Sequence, residues 1–249
     1  MTRTFIAWLL CMLGAPIASQ AAEARDQGFQ AAKALYAERA VVEKHVAAVS
    51  AFAKLGDAYP DDREVQIWCA RTASYAAHRI FDSEVKQMVA KRGVTCAERL
   101  LKKDKGDYEG RMWWLMSRLR YEAARGVIDA LKAAPRFKTF IATMIRDNPK
   151  HPAGYMMLGT LMRELPGPPV SFGDPQKALK LLLKAERMAP NHPEILLELA
   201  QAYAKVGDME LARQTYTRCV EKGTTRVDLE WESQDARDYA KKMLKEMGP

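Results

Sequence analysis

The residue types that do covalent or metal chemistry are present in this sequence but are not spaced for it. Its four histidines, His45, His78, His151 and His192, are scattered along the chain. A structural zinc site gathers about four ligands at short spacing, and no HExxH, CxxC or paired His–Cys set occurs. A serine or cysteine nucleophile needs a placed base, and none can be nominated. Gly-rich phosphate loops are missing as well. Carboxylates such as Asp61, Asp62 and Asp147 fall in turns or on helix surfaces. His151 and His192 each precede a proline that can open a helix, so both read as turn residues. The expectation is a protein that is not an enzyme, with no cofactor and no metal.

Arg3 gives a positive start, an apolar run follows from Phe5 to Ile17, and Ala18-Ser19-Gln20-Ala21-Ala22 supplies small residues at a cleavage site. Residues 1–21 therefore read as a secretory signal peptide. The run falls short of the roughly 20 apolar residues of a spanning helix; the competing reading is an uncleaved anchor. Leu10 stands before Cys11 where a lipoprotein signal requires a small residue. No later segment reads as a membrane span, so a periplasmic or secreted protein is expected. The formal net charge of +8 favours acidic partners or an anionic surface. The cations are nonetheless spread along the chain and read as solvated helix faces, with Lys102-Lys103-Asp104-Lys105 as the densest run. Nucleic acid is not an expected partner of an exported chain.

Ala, Leu, Lys, Glu and Arg dominate the composition and favour helix. Within residues 152–222 the chain repeats itself. Gly173-Asp174 answers to Gly207-Asp208, 34 residues on, and Ala178, Leu182 and Ala185 answer to Ala212, Tyr216 and Cys219 at the same interval. Leu158-Gly159 answers to Leu199-Ala200, and Pro190 closes the first copy. This spacing resembles the tetratricopeptide repeat, a helix–turn–helix of 34 residues. The clearest copies are 152–190 and 193–222. Phe137, Ile141, Met144 and Pro149 keep the same phase, as do Ala48, Phe52, Leu55 and Pro60. Residues 63–78 and about 83–102 read as one helical pair. Residues 109–131 read as a longer first helix whose partner opens at Pro135, and residues 231–247 as a final capping helix. The fold expected is all-α, an α-α superhelix of nine or ten helices, forming one continuous domain over 22–249. Between Leu165 and Gly173 lie seven extra residues with three prolines, stiff because proline fixes its own φ and restricts the residue before it. That insertion reads as a tolerated loop or as a lip on a binding surface, with Phe172 folding back and Asp174 capping the next helix.

In this phase Cys219 takes a small buried position, whereas Cys69 and Cys96 fall on two antiparallel helices of one repeat and are the disulfide candidates. Met112, Met116, Met144, Met156, Met157 and Met162 read as core filler, as a soft groove, or as a copper site through thioethers. The first helix of each pair lines the concave face of such repeats. On the corresponding positions lie Arg71, Tyr75, Trp114, Arg118, Tyr121, Met156 and Arg163. Arginine and aromatic residues are what binding surfaces enrich. These seven are the candidate partner-binding residues, with a solvated face of ion pairs to Glu122 and Glu164 as the plainer reading.

A narrower resemblance rests on particular residues. They are Gly106-Asp107-Tyr108-Glu109-Gly110, then Trp113-Trp114 and Gly126 before a helix; His151-Pro152 with Tyr155 and Leu158-Gly159; Phe172-Gly173-Asp174-Pro175-Gln176-Lys177-Ala178-Leu179; and Glu230-Trp231-Glu232. Over about residues 40–247 the chain resembles a subgroup that includes the periplasmic T-component proteins of TRAP transporters and the eukaryotic regulator of microtubule dynamics proteins. The resemblance implies a helical superhelix without catalytic residues. In the T-component proteins it implies partnership with a periplasmic solute-binding protein, a hydrophobic passage through the helices, and often lipidation and trimers. This chain lacks the lipidation cysteine. The function expected is an exported scaffold that binds a protein or peptide through its concave face. The alternative is a transporter accessory that docks a solute-binding protein and binds or passes a small apolar ligand.

Overall fold

The computed structural model describes residues 4–224 and 230–248, with side chains from residue 19 onward. Among the described residues the chain is all-α and holds eleven helices. They fall into two compact units, 1–126 and 127–249.

Unit 1 contains α1 (Thr4–Ala37), α2 (Val42–Ala58), α3 (Arg63–Arg79), α4 (Ser83–Lys103) and α5 (Tyr108–Arg125). Asp62, Asp82 and Asp107 start α3, α4 and α5: each carboxylate accepts from the backbone N–H three residues on, at Val65, Val85 and Gly110. This satisfies a donor that has no partner inside the helix. Phe29, Ala32 and Tyr36 are buried at a spacing that puts them on one face of α1. Against them, Phe52 stacks on Trp68 at 5.4 Å and Phe29 meets Phe52 edge-on at 5.6 Å. The C-terminal part of α1 is thus the first helix of the first repeat, an element the repeat phase alone did not delineate.

A ladder of ion pairs ties successive first helices together. Arg25 on α1 reaches Asp62 at 2.9 Å and Glu64 at 2.8 Å. Arg63 on α3 reaches Asp107 at 2.7 Å and Glu109 at 2.9 Å. Despite the burial that opposes its charge, the Arg63 guanidinium and the Gly110 N–H hold the Asp107 carboxyl below the usual range. Cys69 on α3 and Cys96 on α4 are joined by a disulfide with a Cα–Cα distance of 6.0 Å. Where α4 crosses α5, a Cβ on Gly93 would lie 2.4 Å from Ser117 Oγ, so only glycine permits that approach.

His45 is buried on α2, edge-on to Tyr36 at 5.6 Å. Burial, then the charges of Arg79 and Arg39, hold its pKa down at about 4, against a backbone hydrogen bond to Thr72 that acts in the opposite sense. A histidine kept neutral in the folded state stabilises it fully above the unfolded pKa of about 6.5. That stability is lost as pH falls through the window from 6.5 to 4. Unit 1 is therefore expected to lose on the order of 2 kcal/mol between pH 7 and 4 from this group, after allowance for solvent screening. Urea unfolding across this range checks it: His45→Gln should flatten the pH dependence, and an unchanged slope in the variant would refute the assignment.

The expected long helix over 109–131 is corrected. α5 ends at Arg125 because Gly126 adopts φ 122°, a conformation that strains any residue with a side chain. α6 (Val127–Asp147) then runs through Pro135 instead of starting there. The proline sits about two turns into α6, where it leaves the Leu131 carbonyl without its helical donor.

Unit 2 contains α6, α7 (Pro152–Glu164), α8 (Pro175–Met188), α9 (Pro193–Lys205), α10 (Met209–Lys222) and α11 (Glu230–Glu246). Prolines stand at the start of α7, α8 and α9, where the missing N–H does no harm. Leu182, Ala185, Leu196, Ala200, Ala212, Tyr216 and Cys219 are buried, in the phase the repeat requires. A Cβ on Gly159 would come within 2.8 Å of Leu182 Cγ, which explains a glycine there. α11 covers the exposed side of the last pair, with Ala236 and Ala240 buried and Met243 and Leu244 packed on the cluster around Tyr216. The proline-rich insertion closes on itself through Gly173 N–H to the Pro166 carbonyl at 2.9 Å and Asp174 N–H to the Met162 carbonyl at 3.0 Å. Lys138 of α6 lies 4.6 Å over the Phe172 ring, and Asp174 caps α8. Among the described residues no helix is long and apolar enough to cross a membrane.

Candidate partner-binding faces

In unit 1 the candidate residues lie on α3 and α5. Arg71 is buried, its guanidinium 4.4 Å over the Trp68 ring and 5.8 Å over Tyr36. It supports the aromatic layer from within and does not reach outward. Tyr75 is half-buried, edge-on to Trp113 at 5.9 Å. Trp114, half-buried and one turn before Arg118 on α5, donates from Nε1 to Glu98 of α4 at 3.3 Å. Arg118 bonds Glu122 at 2.7 Å and lies 5.2 Å over the Tyr121 ring. Arg125 also reaches Glu122, at 3.3 Å. The structure thus gathers Arg118, Tyr121, Glu122 and Arg125 into one group on α5 and holds Arg71 and Tyr75 in the packing of α3.

In unit 2 the candidates are Met156 and Arg163 on α7. Met156 is half-buried between two apolar clusters, one around Tyr155 and Ile195 and the other around Leu182 and Leu199. Arg163 is buried and fully engaged. Its Nη1 donates to the Glu198 carboxylate and to the Glu198 carbonyl, both at 2.9 Å, and its Nε and Nη2 donate to Glu164 at 3.0 and 2.8 Å. Beside it opens a cavity of about 410 Å³ lined by Arg163, Glu164, Gln201, Ala204, Lys205, Tyr216, Tyr239 and Met243. Of the lining side chains Arg163 and Lys205 are cationic and Glu164 is anionic, and Glu198, outside the lining, offsets Arg163 to leave the region close to neutral. Burial, followed by neighbouring groups, pushes the Tyr216 phenol up to about 12, and it presents a hydroxyl at any physiological pH.

Part of this wall, from α9 and α10, falls in a segment with a recognisable family. Residues 170–225 match the tetratricopeptide repeat family. The match covers α8 to α10. No curated protein matches the chain. Among solved structures, TTC0263, a thermophilic tetratricopeptide-repeat protein of Thermus thermophilus, is 19% identical with a TM-score of 0.61, over 85% of this chain and 98% of that one. PilF of Pseudomonas aeruginosa is 17% identical with a TM-score of 0.48, over 91% of this chain and 93% of that one. At these identities the likeness to TTC0263 is one of fold.

The two turn histidines stand at equivalent helix starts. His151 caps α7, its Nδ1 accepting from the Ala153 N–H at 3.3 Å. His192 occupies the equivalent position at α9, with Nδ1 at 2.7 Å from Glu194. Among the described residues no group of three or more His, Cys, Asp or Glu is placed to hold a metal ion. Met144, Met157 and Met162 are buried and fill the core. Burial pushes the Cys219 thiol up to about 11, which keeps it protonated and unreactive. The repeat phase alone did not single out Tyr239 and Met243 as cavity residues. They stand one turn apart on α11, and that spacing was visible in the sequence, but which face of the capping helix meets the cavity was not.

Proposed function

We propose that this protein is an exported, non-enzymatic scaffold that docks a protein or peptide on the first-helix faces of its tetratricopeptide repeats. The observation that carries the reading is the half-buried set Trp114, Arg118 and Tyr121, at one-face spacing on α5, with the arginine 5.2 Å over the tyrosine ring. Aromatic residues and arginine with part of their surface already packed give contact area at low entropic cost. Tyr75 and Met156 extend the faces, while Arg71 and Arg163 hold them from below. Export is supported by the signal-like start of the chain and by the Cys69–Cys96 bridge, since such bonds persist in oxidising compartments.

The reading is tested by affinity capture from a periplasmic fraction with the oxidised protein. Trp114→Ala with Tyr121→Ala is expected to weaken capture of the principal partner by about tenfold or more, the effect of removing a contact of about 1.4 kcal/mol or more. Unchanged capture by a correctly folded variant would refute the α5 face. The second reading is a transporter accessory of the T-component kind. It is supported by the residues around Trp113-Trp114 and Phe172-Gly173 and by the near-neutral cavity beside Tyr216, Tyr239 and Met243, whose size lies within the range of small-ligand sites. Capture of a solute-binding protein as the sole partner would favour it.

A further inference from the structure

The fold of unit 2 assembles a row of cations that the linear sequence disperses. On α8, Lys177, Lys180, Lys184 and Arg187 recur at intervals of three, four and three, which puts them on one face of the helix. All four are exposed, and the row extends about 15 Å along the axis. Lys177 pairs with the capping Asp174 at 3.0 Å, and Lys184 lies 4.1 Å over the Tyr155 ring. Among the described residues, Lys180, Lys184 and Arg187 form no ion pair. The preceding second helix, α6, adds Lys132, Arg136 and Lys138, all exposed and likewise without an ion pair among the described residues. Lys138 is joined to the start of α8 through the Phe172 ring, at 4.6 Å. Ile145 of α6 packs in the cluster that holds Leu181 and Ala185 of α8.

The neighbouring carboxylates do not offset this row. Glu186 is bound by Arg218 of α10, and Asp147 is paired with Arg146 at 3.0 Å. Asp129 stands on the first turn of α6. With the Asp174 cap included, α6 and α8 hold eight cations against four carboxylates. On α10, Glu210 accepts from Gln214 at 2.8 Å, and Glu221 is followed by Lys222. A second observation lies at the ends of the row, where exposed apolar residues flank it. Val170, 65% exposed, sits in the proline-rich insertion that closes onto the start of α8, and Met188, 36% exposed, is the last residue of the helix.

We propose that the exposed side of α8, with Lys138 and the tip of the proline-rich insertion, docks on the surface of an anionic phospholipid bilayer without spanning it. The cavity beside Arg163 is walled by α7, α9, α10 and α11, so no described groove runs along the cations to order an acidic polypeptide. Lys180 and Arg187 are held by no carboxylate. Long cationic side chains free to reorient suit a layer of headgroups, whose field rewards each basic residue by about fivefold in binding without a fixed partner geometry. Apolar residues at the two ends of the row would enter the headgroup boundary while the cations stay at its surface. This inference is separate from the docking of a protein partner, which uses the first helices.

The test is sedimentation of the full oxidised chain with vesicles of phosphatidylcholine alone and with vesicles of equal parts phosphatidylcholine and phosphatidylglycerol. The quantity read is the ratio of the two affinities, so that any contribution of the apolar residues 5–17 common to both vesicles cancels. Wild-type protein should favour the anionic vesicles, and added salt should lower the ratio, because the Debye length is about 8 Å at physiological ionic strength. Lys180→Glu with Arg187→Glu should lower it by about tenfold or more. Lys102→Glu with Lys105→Glu, exposed residues of unit 1 and the same change of net charge, should leave it within about twofold. Equal affinity of the wild type for the two vesicles would overturn the proposal. An equal loss in the unit 1 control would overturn it in favour of net charge alone. Tighter binding to soluble polyglutamate than to the anionic vesicles, compared at equal total negative charge, would overturn it in favour of an acidic polypeptide.

Discussion

Replacing Cys69 and Cys96 together by alanine is expected to lower the stability of unit 1 by about 3 kcal/mol. The two residues are 27 apart in sequence, and a cross-link over that span removes loop entropy from the unfolded chain. Both are buried, and a Cβ on Gly56 of α2 would lie 3.4 Å from Cys69 Sγ. The bridge therefore sits where α2, α3 and α4 meet. Alanines there also leave a small void, which adds to the loss. With a slope typical of small proteins, the urea midpoint should fall by roughly 1–2 M. Wild-type protein treated with a reductant should approach the double variant, apart from the packing contribution of the two sulfur atoms. Equal midpoints for oxidised and reduced protein would show that the bridge contributes nothing. The result bears on where the protein works, because a chain that depends on this bond is stable only where the bond survives.

The repeats were legible because three local signals agree. Prolines stop or start helices at Pro60, Pro149, Pro152, Pro175, Pro190 and Pro193. Small residues such as Gly159, Ala178 and Ala212 recur where helices touch. Aspartates at the turns cap the next helix. The misreading of residues 109–131 came from weighing Pro135 above Gly126. A proline can be carried inside a helix when the rest of the helix has enough buried surface, and α6 buries Phe137, Ile141 and Met144 on one face. A glycine at φ 122° leaves the helix altogether. α1 was obscured because its apolar start runs into the amphipathic stretch without a cap or a proline after Pro16. The division at Gly126 carries no linker composition, so nothing in the sequence announces it. The candidate site was legible in position but not in direction. Repeat phase gives the face of a helix. Whether an arginine on that face looks outward depends on carboxylates and rings supplied by other helices, such as Glu198 for Arg163, or by its own, such as Trp68 for Arg71.

Arg163 shows the difference most clearly, and it yields the second large expected effect. The side chain is 6% exposed and ties α7 to α9 through Glu198, whose carboxylate also accepts from Thr160 Oγ1 at 2.7 Å. Arg163→Met is expected to lower the stability of unit 2 by about 3 kcal/mol, because it strands the Glu198 carboxylate in a partly buried place without its cation. Arg163→Met with Glu198→Met should lose clearly less than Arg163→Met alone, since two apolar side chains leave no uncompensated charge there. The pair should show a coupling of about 1–3 kcal/mol in a double-mutant cycle read by urea unfolding. A loss below about 1 kcal/mol in the single variant would place Arg163 among ordinary surface ion pairs and return it to the set of residues free to meet a partner. With the larger loss, reduced binding by an Arg163 variant reports a weakened α7–α9 contact. The contribution of the unit 2 face to a partner is then measured at Tyr239 and Gln201, which line the cavity without carrying that strut.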